Sequence, residues 1–251
     1  MNRVGVRILN FLGSLCSDGL ACLYPHVCQL CGATPAPPSA GLLCEACRGK
    51  VRFIEPPFCS HCGFPFQGAI TGEFECSNCR DAKLHFSSAR SAAAAKGVVL
   101  EVIHRYKYHR ALWFEPFLAG LLVTRAAPEL RAGGWDCLVP VPLYPVKERE
   151  REFNQAERLA AHLSEATGLP LKTGILRRVT PTKTQTRLTR EQRKVNVHNA
   201  FAVAPGERLA GERVVLIDDV FTTGATTDAC ALALQRAGAG DVCVWTVARG
   251  I

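Results

Sequence analysis

The stretch Val214-Val-Leu-Ile-Asp218-Asp219-Val220-Phe221-Thr222-Thr223-Gly224-Ala225-Thr226-Thr227 decides how this 251-residue chain is read. Four consecutive apolar residues, Val214 to Ile217, predict a short strand buried on both faces, as strands of parallel sheets are. Two adjacent carboxylates end that strand, and a Thr/Gly loop opens the helix after it. Open α/β sheets bind ligands beyond the carboxyl ends of their strands, so the acidic pair stands where such a sheet takes its ligand. The N–H groups that begin a helix, here around Ala225, combine with the hydroxyls of Thr222, Thr223 and Thr226 and with the permissive Gly224 to form a phosphate cradle. Asp218 and Asp219 are then placed to accept hydrogen bonds from vicinal ribose hydroxyls. A plain helix cap explains the threonines but not the paired acids.

Outward from this stretch, helices and strands alternate from about residue 87 onward. Val99, Val102, Ile103 and Tyr106 form one helical stripe, and Ala156, Leu159, Ala160 and Leu163 form another that stops at Gly168. Leu138 to Pro142 and Val242 to Val247 read as further strands, and the spacing of strand, helix and strand predicts a parallel sheet with crossover helices. Gly238-Ala-Gly240 follows a helix and precedes a strand, so it is a helix stop and not a dinucleotide fingerprint. No G-x-x-x-x-G-K-[ST] occurs, which excludes P-loop nucleotide hydrolysis.

The front of the chain has a different character. Ten of the 13 cysteines precede residue 80, and eight form C-x-x-C pairs: Cys28/Cys31, Cys44/Cys47, Cys59/Cys62 and Cys76/Cys79. The unit C-x-x-C-G, a spacer of 12 or 13 residues, then C-x-x-C occurs twice, an internal repeat. Each pair puts two thiolates on one knuckle, glycine lets the chain turn back beneath the metal, and two knuckles close a tetrahedral site. Two sequential zinc ribbons are preferred to an interleaved cross-brace because the glycine-bearing knuckle leads each unit. The closed ligand sets predict two structural zinc ions, without which so few large apolar side chains could hardly fold. His26, His61 and His85 are read as surface residues, and Cys16, Cys22, Cys137, Cys230 and Cys243 as core or surface thiols.

A secreted disulfide framework would require export, and the N-terminal apolar stretch is broken by Asn10, Gly13 and Asp18. Val4, Ile8, Phe11, Leu12 and Leu15 instead predict an amphipathic helix over residues 1–24, packed on the protein or touching a membrane surface. No run is long enough to span a bilayer, so a cytoplasmic protein is expected. Composition is that of a globular protein, with 48% hydrophobic and 21% charged residues, which excludes disordered and fibrous classes. The formal charge of +8 falls to about +4 once two tetrathiolate zinc sites form.

The acidic stretch resembles the phosphoribosyl pyrophosphate (PRPP) motif of type I phosphoribosyltransferases. Val139-Pro-Val-Pro-Leu143, Lys147 and Glu150-Arg151-Glu152-Phe153-Asn154-Gln155-Ala156 resemble the ComF family, as do Arg178-Val-Thr-Pro-Thr-Lys-Thr-Gln185, Arg193-Lys194-Val-Asn196 and Asn199-Ala-Phe201. With the cysteine repeat, this resemblance spans nearly the whole chain. It implies an α/β fold, a type I phosphoribosyltransferase-like parallel sheet with flanking helices over residues 87–251, preceded by a double zinc-ribbon module over 25–86. It further implies that Asp218 and Asp219 hold a ribose, that Thr222, Thr223, Gly224, Ala225 and Thr226 hold the 5′-phosphate, and that Lys147 and Arg151 serve the pyrophosphate side, with magnesium. Glu152 stands where the family usually has glycine. Handling of single-stranded DNA in natural competence, alongside other competence proteins, is the role the resemblance implies.

Residues 171–200 carry a net charge of +7, from eight basic residues and Glu191. Arg187, Arg190, Arg193 and Lys194 within it are candidates for sequence-independent phosphate contacts, and a mobile polar lid is the alternative. Base stacking would come from elsewhere, for example Phe58, Phe64, Phe66 or Phe74. Purine-type transferases have an aspartate where this chain has Thr222, and a hydroxyl with no adjacent base accepts a proton poorly at pH 7. A 6-oxopurine transferase is therefore not expected. A PRPP-binding protein and a transferase with an unidentified base or amine acceptor are the two readings.

Overall fold

The computed structural model describes residues 26–180 and 200–251, apart from residues 34, 67, 69, 71 and 81. The expected N-terminal helix, Cys16, Cys22 and the candidates Arg187, Arg190, Arg193 and Lys194 lie outside the described residues.

Eleven elements form the body among the described residues. They are β1 (Ser88–Ala94), α1 (Gly97–Tyr108), α2 (Glu115–Ala132), β2 (Cys137–Pro140), α3 (Pro145–Arg151), α4 (Gln155–Thr167), β3 (Leu176–Arg178), β4 (Phe201–Val203), β5 (Arg213–Phe221), α5 (Ala225–Arg236) and β6 (Asp241–Arg249). β1, β6, β5 and β2 lie in that order in one parallel sheet, and β3 pairs with β4 in a separate antiparallel ribbon. The α1 stripe of Val99, Val102, Ile103 and Tyr106 is buried as expected, and α4 ends at Gly168 in a left-handed turn (φ 77°). Alternation along β5 sends Val215 and Ile217 to one face, against α1, α2 and α4, and Val214 and Leu216 to the other, against α5.

Two features differ from the sequence reading. β5 does not stop at Ile217 but runs on to Phe221, because Asp218, Val220 and Phe221 keep their register with Thr246, Ala248 and Arg249 of β6. The acidic pair therefore lies within the last strand residues, held by the ladder. β2 is shorter than Leu138 to Pro142, ending at Pro140.

The cysteine module straddles the free edge of β1. Cys28, Leu43, Cys44 and Cys47 join the core on the α1/α2 face, while Cys59, Cys62, Cys76 and Cys79 join the core on the α5 face. The chain between the two ribbons covers the edge itself: Ile54 N donates to Ala92 O at 3.1 Å and Ala94 N to Arg52 O at 2.8 Å. Covering an edge in this way removes a row of unpaired backbone groups from solvent.

Candidate functional site

A cavity of about 790 Å³ opens at the carboxyl end of the sheet, between α1, the loop after β2, the end of β5 and the start of α5. Asp218, Asp219, Lys147, Arg151 and residues 222–226 all line it, so every described residue assigned to ribose, phosphate or pyrophosphate converges on one space.

The loop owes its shape to two glycine-dependent facts. Gly224 is left-handed (φ 79°), and a Cβ there would lie 2.6 Å from Cζ of Phe221, which fills the floor beneath it. Thr223 Oγ1 accepts from Ala225 N at 3.4 Å, and Thr227 Oγ1 donates to Gly224 O at 3.0 Å, locking the first turn of α5. Gly224, Ala225, Thr226 and Thr227, at the start of α5, all line the cavity, where an anion cradle needs them.

Lys107, in the last turn of α1, forms an ion pair with Asp219 Oδ2. Asp219 is 3% exposed; burial pushes its carboxyl up, but the adjacent ammonium prevails and holds it below the usual range. Asp218 is half-buried, and its Oδ1 accepts from Asp219 N at 2.8 Å. Burial first, and the charge of Asp219 second, push it up to about 8. Lys107 thus compensates Asp219, while burial and the charge of Asp219 both oppose ionisation of Asp218.

On the opposite wall, Lys147 Nζ pairs with Glu150 Oε2 at 2.9 Å, and Arg151 Nη1 donates to Gln155 Oε1 at 2.8 Å while covering the ring of Tyr108. Glu152 closes α3 in a left-handed conformation (φ 69°), which explains a glycine preference at this position. Its carboxylate turns away to Arg110, 2.9 Å distant, and discharges neither Lys147 nor Arg151.

Lys107, Arg178, His104 and Tyr108 also line the cavity and were missed by sequence reasoning. The one available signal was position: Lys107 lies four residues after Ile103 and faces the cavity with it, which a helical stripe judged on apolar residues alone does not report. Of the basic segment, Lys172 is tied to Glu212 at 3.2 Å and Arg178 lies over Phe201.

The cysteines gather sequentially, Cys28/Cys31/Cys44/Cys47 and Cys59/Cys62/Cys76/Cys79, with the sulfurs of each set within 4.8 Å of one another. Cys31 and Cys44 sulfurs are 3.7 Å apart and Cys62 and Cys76 sulfurs 3.6 Å. A tetrahedron with Zn–S bonds near 2.3 Å requires sulfur separations of about 3.8 Å, so both sets fit zinc. Gly32 and Gly63 turn left-handed (φ 69° and 65°) after the second cysteine of each leading knuckle, as the repeat implied. His26 is exposed, but His61 and His85 are half-buried, and His85 does more than sit on the surface. Its N and Nδ1 both reach Asp228 Oδ1 of α5, at 2.7 and 3.1 Å. Cys137, Cys230 and Cys243 are core thiols.

Competence protein F of Haemophilus influenzae is 30% identical over 211 residues, covering 82% of this chain and 90% of that protein. The chain belongs to the ComF family. Other relatives of this ComF-family chain include the DNA utilization protein YhgH of Escherichia coli K12, 29% identical over 90% of this chain and 97% of that protein. Competence protein ComFC of Bacillus subtilis is 29% identical over 82% and 84% of the two chains. Residues 19–82 match the double zinc ribbon domain family, which agrees with the two four-cysteine sites. Among solved structures, a purine phosphoribosyltransferase from Pyrococcus horikoshii covers 53% of this chain and 83% of its own, at 17% identity and a TM-score of 0.34. A hypoxanthine phosphoribosyltransferase from Staphylococcus aureus covers 55% and 74%, at 11% identity and a TM-score of 0.37. No described helix is long and apolar enough to cross a membrane.

Proposed function

We propose that this ComF-family protein binds PRPP with magnesium in the cavity at the end of the sheet and handles single-stranded DNA during DNA uptake, in the cytoplasm. The observation that carries the ligand half is the convergence of an acidic pair, a phosphate-shaped loop and three cations, Lys107, Lys147 and Arg151, on one space. Asp218 and Asp219 accept the ribose hydroxyls, the loop from Thr222 to Thr226 takes the 5′-phosphate, and Lys147 and Arg151 face the pyrophosphate. Magnesium supplies further neutralisation of the ligand's charge. Because burial and the charge of Asp219 push the Asp218 carboxyl up to about 8, affinity for a ligand whose hydroxyls donate to both carboxylates should rise as pH passes from 7 to above 8.

Calorimetry tests this reading: magnesium-dependent PRPP binding is expected, weakened by Asp218→Asn with Asp219→Asn. A double variant that binds like the parent makes the acidic pair a structural turn. For the DNA half, engaging four or five of the eight cations of residues 171–200, Arg187, Arg190, Arg193 and Lys194 among them, gives a log-log salt slope of about −3, from about −0.7 per phosphate on single strands. Changing those four residues to Gln flattens the slope, and an unaltered slope removes them from the interface. The relatives' printed names, competence protein and DNA utilization protein, support this half.

A second reading, transfer of the ribose phosphate to an unidentified base or amine, is favoured by one observation. The cavity continues into a wall of Leu100, His104, Tyr108, Leu143 and Tyr144, the largely apolar and aromatic kind of lining that small-molecule pockets use. Pyrophosphate release during a base screen distinguishes it from simple binding.

A further inference from the structure

The second metal site touches the phosphate loop through one buried side chain. Arg249, at the end of β6, is 5% exposed, and its Nη2 donates to Cys62 Sγ at 3.2 Å. Its Nε and Nη1 have no hydrogen-bond acceptor among the described residues. The guanidinium lies between two rings, 4.7 Å from the centroid of Phe221 and 5.4 Å from that of Phe64. Phe221 is the residue whose ring fills the space beneath Gly224, and Gly250 N donates to Phe221 O at 2.9 Å, so the strand end that carries Arg249 also fastens the root of the loop.

A guanidinium this deep is costly unless an opposite charge compensates it. The backbone and the rings provide no full negative charge, whereas four thiolates around one zinc carry a net charge of minus two. The first site offers no such link: among the described residues no side-chain cation hydrogen-bonds to Cys28, Cys31, Cys44 or Cys47.

We propose that Arg249 is a positioning residue that couples the second zinc site, and not the first, to the phosphate loop, through contact with Cys62 on one side and the face of Phe221 on the other. The ligand named for that loop rests on the function proposed above; the coupling itself does not. Filling the second site fixes the charge that holds Arg249, Arg249 fixes the ring of Phe221, and the ring fixes the turn at Gly224.

The test uses the full zinc-loaded chain and reads the loop without PRPP. In Arg249→Met, amide exchange over residues 222–227 should quicken about tenfold or more, while the first ribbon keeps its protection. One of the two zinc ions should pass to a chromophoric chelator about tenfold faster and the other at the parental rate. Arg249→Lys, which keeps the charge, should recover most of the metal retention. Phe221→Leu covers the case in which Arg249→Met does not fold: it leaves Arg249 and Cys62 in place and should loosen residues 222–227 with both zinc ions retained. Unchanged exchange in the loop of either folded variant overturns the coupling, as does equal acceleration of both zinc ions. If the loop responds as expected but the parent binds no PRPP, the coupling stands and the ligand reading fails.

Discussion

Each ribbon receives one arginine donor at a backbone carbonyl, but the first adds a fully buried leucine and the second adds a buried cation on a metal-site sulfur. Leu43 is fully buried in the core on the α1/α2 face, Gly41 abuts Phe117, and Arg105 Nη1 donates to Gln29 O at 2.7 Å. On the other face, Arg249 donates to a metal-site sulfur, Arg90 Nη1 donates to Ser60 O at 2.9 Å while covering Phe58, and Ala89 N donates to His61 O at 2.6 Å. The two units share one ligand pattern and one glycine position, and yet they dock by different means. Metal ligands fix the local fold of a knuckle; residues outside the motif decide what the knuckle is for.

The largest expected effects come from the ligands themselves. Elemental analysis should find two zinc ions per chain, and Cys44→Ser and Cys79→Ser should each lose one, because zinc binding supplies about 10–16 kcal/mol in comparable small sites. The comparison predicts unequal consequences: Cys79→Ser should loosen the phosphate loop, while Cys44→Ser should mainly unfold the first ribbon and leave loop exchange near the parental rate. Equal loop damage from both would break it.

Next in size is the packing contrast. Leu43→Ala should cost about 2–5 kcal/mol in denaturant unfolding, as truncation of a fully buried leucine does. The second ribbon rests on half-buried Phe64 and Phe74, so Phe74→Ala should cost clearly less. The docking glycines should behave alike, since a Cβ at Gly41 would lie 2.9 Å from Phe117 Cβ and one at Gly63 2.6 Å from Ala89 O. Both are also left-handed, so Gly41→Ala and Gly63→Ala should each destabilise by about 2–3 kcal/mol. A large difference between them would show that one interface gives way more easily.

What the sequence made legible follows from how local each signal is. The acidic pair, the threonine loop and the eight ligand cysteines are contiguous or evenly spaced, and their chemistry is written into residue type. Lys107 and Arg249 reach their positions through the crossing of separate elements, and nothing in their neighbourhoods along the chain announces it; Arg178 heads a stretch that the resemblance singled out, without its place in the cavity being given. β1 is the clearest local failure. Ser-Ala-Arg-Ser-Ala-Ala-Ala favours helix by propensity, and it is a strand because β6 pairs with it over its length and the linker at 52–54 pairs with its other edge. The same tertiary pairing carried β5 four residues beyond its apolar run.

The smallest expected effects sharpen the comparison at its margins. Arg90→Met and Arg105→Met each remove one cationic donor to a ribbon carbonyl, and each should cost about 1–2 kcal/mol, read as a shift in unfolding midpoint. Arg90→Met also loses its contact with Phe58, so it should fall at the upper end.

A structure of the protein with magnesium and PRPP tests the central claim most directly. The account predicts the 5′-phosphate within hydrogen-bond distance of the backbone N–H groups at residues 223–226, the ribose hydroxyls on Asp218 and Asp219, and Lys107 drawn off Asp219 toward the ligand. PRPP bound elsewhere, or a filled cavity in which Lys107 keeps Asp219 and no phosphate meets the loop, would contradict it.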